Sequence, residues 1–371
     1  MRIPEISRRT RIISATAAAV VLVCVAVLLV PVTREGLQDT WCALTGQGCS
    51  RLEDPDRRDY ADGSGWRQRL APDEAAAWGN YVALGDSYSS GEGAGDYIEG
   101  TAGEGDCRRS SHAYPTRVAD SFDFAGQLGF YACSRQRGAS MLESLEKADS
   151  QISQAGPHTS LVTLGIGGND LGFTNVLRAC MVRVPLMEAT ACRDQEEEIL
   201  SRMEEFDATL EDIVREVRDR APDARILVVG YPRIFPADPS GMYYTLAPGD
   251  QEWLNETLRD FNTRVRTNVA ELDAEIVAES QTGSVEYVRM STAIEGHEVG
   301  TDEPWLNGVL LGGFAEGVEV DHGTFHPNAR GHKAFAQRVL RQLNQGPDRK
   351  LYVAEQTLDN ADPEVLASEL D

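Results

Sequence analysis

Short aliphatic runs alternate along this chain with longer amphipathic stretches, and the alternation predicts an α/β protein with a parallel sheet covered by helices on both faces. Two observations carry that prediction. Tyr81–Leu84, Gly129–Ala132, Ser160–Ile166, Arg225–Gly230 and Val285–Val288 read as short buried strands, the first meeting Gly85 and the third running into Gly167-Gly168. Between them, Gln195–Arg220 and Gln251–Glu279 place apolar residues every three or four positions among charges, as amphipathic helices do. A last helix is expected over Asn328–Leu343. No internal repeat is visible.

A chain of 371 residues suits one domain of about 200–250 residues with appendages, or two domains. Its hydrophobic fraction of 42% supports a sizeable core and excludes wholesale disorder. The overall charge is −24, but the first 32 residues carry +3, from Arg2, Arg8, Arg9 and Arg11 against Glu5, leaving −27 on the remaining 339. So acidic a body repels phosphate backbones, and no nucleic-acid partner is expected.

From Ile12 to Thr33 no residue is charged, a span long enough to cross a hydrocarbon core of roughly 30 Å. The arginines before it place residues 1–11 in the cytoplasm and everything after residue 33 outside. A cleaved signal peptide is the competing reading, but the small-x-small sites, Ala15-Thr16-Ala17 and Ala17-Ala18-Ala19, precede the apolar core instead of following it. A lipoprotein cleavage site at Cys24 is disfavoured by Val23 before it. The expected organisation is a transmembrane signal-anchor over 12–33, an extracytoplasmic stalk over 34–78, a folded domain over 79–345 and an acidic tail over 346–371. Export agrees with six further cysteines, Cys42, Cys49, Cys107, Cys133, Cys180 and Cys192. Fifteen pairings are open; sequential pairing (42–49, 107–133, 180–192) closes short loops and is preferred. No C-x-x-C occurs to start a zinc or thioredoxin-like site.

Three peptides carry chemistry. Gly85-Asp86-Ser87-Tyr88-Ser89-Ser90-Gly91 puts a serine between a strand and a helix, where its hydroxyl can enter the crevice at the sheet's carboxyl end. Gly165-Ile166-Gly167-Gly168-Asn169-Asp170 offers glycines for close backbone approach and an Asn169 amide able to donate to a developing oxyanion. His322-Gly323-Thr324-Phe325-His326-Pro327-Asn328 opens the final helix with a histidine that can return to the crevice as general base. Each peptide alone is a common turn; all three in this order are a strong signal.

With these residues in view, the chain resembles the SGNH (GDSL-type) hydrolases, and more narrowly their secreted actinobacterial lipase and esterase branch. The resemblance runs from about Tyr81 to Leu343. It rests on the 85–93 stretch ending Gly91-Glu92-Gly93, Ala132-Cys133-Ser134, the Gly-Gly-Asn-Asp stretch, Gly230-Tyr231-Pro232, and Phe325-His326-Pro327-Asn328 with Gly331-His332. It implies a flavodoxin-like three-layer α/β/α fold and hydrolysis through an acyl-enzyme, with Ser87 as nucleophile and His326 as base. The Ser87 N–H, a backbone N–H from the second block and Asn169 would form the oxyanion hole.

Two departures from the family pattern matter. The usual acid three residues before the histidine is Gly323 here, with Asp321 and Glu319 near but out of register. The resemblance then implies a Ser-His dyad whose imidazole is oriented by the backbone carbonyl of Gly323 or Thr324. In the second block, Arg135-Gln136-Arg137 intervene before Gly138-Ala139-Ser140, making Gly138 the oxyanion candidate and the two arginines a solvated loop. The branch's disulfides match 107–133 and 180–192. A third bridge is missing, because Gly300 ends the Gly296-His297-Glu298-Val299 stretch. Trp305 and Asn307 also resemble family positions and read as packing residues.

Other serine-hydrolase patterns fail. G-x-S-x-G is absent, and Ser144-Leu145-Glu146-Lys147 matches S-x-x-K without S-D-N or K-T-G, in a charged helical stretch. His322 and His326 lack a third ligand, so neither metal nor cofactor is expected. The expected function is a membrane-anchored extracytoplasmic serine ester hydrolase, a lipase or carboxylesterase, acting as a monomer on a lipid or other carboxylic ester. A catalytically degenerate domain binding a cell-envelope component is the alternative, and acyl transfer to a non-water acceptor a third reading.

Overall fold

The computed structural model describes residues 57–60, 65–103, 105–147, 149–181, 192–312, 319–368 and 370. The expected anchor over 12–33, most of the 34–78 stalk and the Cys42–Cys49 bridge lie outside them. Among the described residues, no helix is long and apolar enough to cross a membrane.

Strands β1 (Arg57–Asp59) and β2 (Trp66–Leu70) and helix α1 (Pro72–Ala77) lead into the central sheet. That sheet comprises β3 (Asn80–Gly85), β4 (Leu128–Phe130), β5 (Thr159–Gly165), β6 (Arg225–Val229) and β7 (Ser284–Val288). All neighbouring strands are parallel, in the order β4-β3-β5-β6-β7. Counted within the sheet this is 2-1-3-4-5, the flavodoxin-like order, with its switch point beside the first strand. Every residue of β3, β5 and β6 is buried. Helices cover both faces of such a sheet, which is why these strands appear in the sequence as continuous apolar runs rather than as alternation.

Helices α2 (Ser87–Ser90), α3 (Tyr114–Ser121), α4 (Gly138–Glu143), α5 (Phe173–Met181), α6 (Glu196–Arg220), α7 (Pro248–Ala278) and α8 (Ala329–Gln345) complete the layers. One group packs α6 against α4 and α7; the other packs α8 against α1 and α3. The long helices fall where the three- and four-residue spacing places them: α6 buries Ile199, Met203, Phe206, Leu210, Ile213 and Val217 along one stripe. The Ser144–Lys147 tetrad, expected in a helix, forms a turn after α4, where Ser144 Oγ donates to the Met141 carbonyl at 3.0 Å.

The two chain segments expected outside the fold contribute to it. A short hairpin, β8 (Leu311–Gly312) with β9 (Glu319–Val320), precedes the histidine loop, and after α8 come β10 (Leu351–Ala354), α9 (Glu355–Asp359) and α10 (Pro363–Ser368). β10 pairs antiparallel with β2, giving a second sheet of order β1-β2-β10. Leu351, Val353 and Leu366 are buried, and Asn80 Nδ2 donates to the Leu366 carbonyl at 3.0 Å. Residues 66–70 are therefore not stalk, and 351–366 are not a free tail. The apolar positions are few in each segment, and their burial comes from pairing two ends of the chain.

Candidate active site

Gly85 ends β3, and Asp86 caps the short helix that follows, its Oδ1 accepting from the Tyr88 amide at 2.9 Å. This turn places Ser87 at the carboxyl end of β3 with 7 % exposure. Asn169 follows the adjacent strand β5, so the two residues flank the switch point of the sheet. Tyr231, after β6, joins their loops: its hydroxyl donates to Asp86 Oδ2 and accepts from the Gly168 amide at 3.0 Å. Burial pushes the Asp86 carboxyl up to about 7, and the Tyr231 and Tyr88 donors partly oppose that rise.

His326 arrives on the loop before α8, whose first turn is capped by Asn328 accepting from the Arg330 and Gly331 amides. Its Nε2 lies 2.8 Å from Ser87 Oγ, and its Nδ1 lies 3.1 Å from the Thr324 carbonyl. With Nδ1–H donating to that carbonyl, Nε2 is left as the acceptor for the serine hydroxyl. Of the two carbonyls expected to orient the ring, Thr324 does so; Gly323 O instead accepts from the His326 amide at 3.1 Å. Asp321 is turned away, its Oδ1 accepting from the Gly323 amide at 2.7 Å. Burial lowers the His326 pKa below the ordinary histidine value, while Glu92 and the Thr324 carbonyl act in the opposite sense.

Asn307 staples the two loops, with Nδ2 donating to Gly93 O at 3.0 Å and to Gly323 O at 3.2 Å. A side chain at Gly93, which sits at φ +86°, would meet Asn307 Nδ2 at 2.8 Å and His326 Cβ at 2.9 Å, so glycine is required there. Tyr88 closes the other side of the ring, 5.1 Å between centroids, and its hydroxyl donates to the Phe325 carbonyl at 2.5 Å. Trp305 stacks on His297 at 3.7 Å and packs, as expected.

The second block differs from expectation. The Gly138 amide is committed to the Asp170 carboxylate, at 2.9 and 3.0 Å, and is not free to meet an oxyanion. Between Cys133 and Gly138 the residue in the left-handed region is Arg135, at φ +67° with its side chain exposed. Among the described residues no hydrogen bond engages the amides of Ser87 or Arg135. Asn169 Nδ2 donates to Gln136 O at 3.0 Å, which anchors the amide to the same loop and leaves its second N–H available. That residue 135 stands where the usual Ala-Cys-Ser-Gly-Ala pattern has its glycine is the signal that could have singled it out. The bridges Cys107–Cys133 and Cys180–Cys192 are formed, and the first ties this loop to Cys107, whose carbonyl also accepts from the Ser134 amide at 3.0 Å.

Sequence reasoning missed Glu92. Its side chain is 4 % exposed, with Oε1 at 2.7 Å from Arg108 Nη1 and Oε2 at 3.8 Å from His326 Nε2. Nothing in the spacing of residues 92, 108 and 326 announces that they meet.

The Ser87 hydroxyl therefore lies on the His326 imidazole, beside the Asn169 amide, at the switch point of a flavodoxin-like sheet. Residues 83–334 match the GDSL-like lipase/acylhydrolase family, and the chain belongs to that family of ester-bond hydrolases. It is 30% identical to Lipase 1 of Streptomyces coelicolor over 72% of this chain and 87% of that protein. With the lipase of Streptomyces rimosus it shares 31% identity over 70% of this chain and 85% of the relative. Among solved structures, phospholipase A1 from Streptomyces albidoflavus NA297 superposes with a TM-score of 0.58 at 30% identity, covering 71% of this chain and 98% of that one.

Proposed function

We propose that the chain is an exported, membrane-tethered serine hydrolase that cleaves carboxylic esters of fatty acyl lipids through an acyl-enzyme. The observation that carries this reading is the 2.8 Å approach of His326 Nε2 to Ser87 Oγ with Nδ1 held on the Thr324 carbonyl. Ser87 Oγ attacks the ester carbonyl carbon as its proton passes to His326 Nε2. The tetrahedral oxyanion is met by the Ser87 and Arg135 amides and the free N–H of Asn169. Collapse breaks the C–O bond, and the departing alkoxide takes the proton from Nε2. Water then attacks the acyl carbon, giving a proton to His326 that returns to Ser87 Oγ as the carboxylic acid leaves.

The acyl-lipid substrate is supported by the lipase and phospholipase A1 names of the relatives. Export is supported by two disulfides, the S. rimosus neighbour's description as an extracellular lipase, and the uncharged 12–33 span behind four arginines.

A fluorophosphonate applied to the full-length protein, with p-nitrophenyl acetate, butyrate and palmitate as substrates, tests the reading. Labelling at Ser87 and turnover are both expected, and both are lost in Ser87→Ala with the fold retained. A folded wild type that neither labels nor turns over would replace the enzyme with an ester-binding module. Fractionation of cells tests the tether: activity in the medium instead of the membrane fraction would show that 12–33 is removed.

A further inference from the structure

The imidazolium that forms when Ser87 loses its proton has no carboxylate on its Nδ1 side, where position 323 is glycine and Thr324 supplies a neutral carbonyl. A neutral acceptor fixes the tautomer but balances little positive charge. The compensation lies on the other side of the ring. Glu92 sits on the turn that carries Ser87, its amide donating to Ser87 O at 3.2 Å. Arg108 grips Oε1 at 2.7 Å, which leaves Oε2 facing His326 Nε2 at 3.8 Å. Arg108 is itself buried, at φ +50°, next to the Cys107–Cys133 bridge, so the carboxylate is held and not merely placed.

That separation is informative. At 3.8 Å the carboxylate makes no hydrogen bond and does not compete with the serine hydroxyl for Nε2. A charge at this distance in a water-poor site does little for a neutral imidazole and much for an imidazolium, so its effect is realised as the proton moves. Resting on the Ser87–His326 reading, we propose that Glu92 is the counter-charge of the His326 imidazolium, taking over from the Nε2 side the role of the missing acid at 323, with Arg108 moderating its strength. Glu92 is thus a positioning and tuning residue.

Other groups around His326 do not supply this charge. His322 precedes it on its own loop, and His332, on α8, is held neutral by burial, which pushes its pKa down to about 3. Asp321 is bonded to the Gly323 amide. Asp86 stands behind Tyr88 with Tyr231 on its carboxyl. Among the described residues Glu92 is the carboxylate within 4 Å of an imidazole nitrogen of His326.

The test is the pH profile of kcat/KM on p-nitrophenyl butyrate for the full-length wild type, Glu92→Gln, Glu92→Asp and Arg108→Gln. His326 must be neutral to accept the serine proton, so activity is lost as pH falls through its pKa. Removing the carboxylate lowers that pKa: in Glu92→Gln the acid limb moves down by about one pH unit and the plateau kcat falls about tenfold, with KM within about twofold. Glu92→Asp restores part of both changes. Arg108→Gln leaves Glu92 unopposed and moves the limb up. A structural role alone would lower the melting temperature and leave the limb in place, and an unmoved limb in Glu92→Gln overturns the proposal. Should that variant not fold around its lone cation, Glu92→Gln/Arg108→Gln removes both charges and must still move the limb down, by less than Glu92→Gln because the opposing cation is gone as well. Fluorophosphonate labelling of the wild type separates the two readings: no labelling removes the Ser87–His326 dyad, whereas labelling with an unmoved limb removes only the role of Glu92.

Discussion

Two buried Arg–Glu pairs sit at opposite ends of the sheet and differ in how fully they are satisfied. Toward the amino ends of β6 and β7, Arg225 grips both oxygens of Glu286 at 2.8 Å and gives its remaining N–H groups to the carbonyls of Pro72, Gln342 and Leu343. Glu286 accepts further bonds from Ser284 Oγ and Gln342 Nε2, both at 2.7 Å. No donor or lone pair is left for anything else. Beside Ser87, by contrast, Glu92 has one oxygen on Arg108 and the other open to His326. The saturated pair joins β6, β7, α1 and α8; the open pair keeps a charge beside a group that the proposed mechanism makes cationic.

Breaking the saturated pair should have the largest effect, and on stability alone. Glu286→Ala strands the Arg225 cation, 1 % exposed at its side chain, and is expected to cost about 3–5 kcal/mol. Urea unfolding should show the loss while kcat per folded molecule stays within about twofold. A variant that folds as well as wild type would mean that water reaches Arg225.

Asn169→Ala probes the catalytic end and should do the reverse. In the proposed mechanism its amide meets charge that exists only in the tetrahedral intermediate, so kcat is expected to fall by about 10²–10³ with KM little changed. Stability should move far less, because the bond lost is one donation to Gln136 O. An unchanged kcat removes Asn169 from the oxyanion site.

The contrast between the two ends is also a contrast in legibility. Continuous apolar runs revealed β3, β5 and β6, and periodicity revealed α6 and α7, because burial on both faces or along one stripe leaves a local pattern. The glycine-flanked Ser87 and Asn169 and the histidine before Pro327 were readable for the same reason: strand ends and helix starts have local signatures. Glu92 and Arg108 were not, since an ion pair across 16 residues, meeting a histidine far along the chain, leaves no pattern. β2 and β10 were hidden because Trp66–Leu70 is rich in arginine and finds its partner at the other end of the chain. Gly138 is the donor the sequence suggests, because it is the next glycine after Ala132-Cys133-Ser134; the left-handed conformation at 135 is a property of the backbone that the arginine name conceals.

That misplacement gives a smaller test. If residue 135 contributes its amide and not its exposed guanidinium, Arg135→Gly should keep kcat within about twofold. It should also stabilise the protein by about 0.5–1 kcal/mol, the strain relieved at φ +67° less the added freedom of the unfolded glycine. A tenfold fall in kcat would instead place the side chain on the substrate.

Asp321 closes the comparison, as a carboxylate near the histidine that is satisfied locally. Its Oδ1 caps the Gly323 amide at 2.7 Å, a bond that asparagine can also accept, and Nδ1 of His326 is already occupied by the Thr324 carbonyl. Asp321→Asn is therefore expected to leave kcat/KM within about threefold and the acid limb unmoved. A loss of a hundredfold or more would make it a displaced triad acid that swings onto Nδ1 during turnover. Position decides between the two acids: Glu92 is held where charge develops, whereas Asp321 is held where the backbone turns.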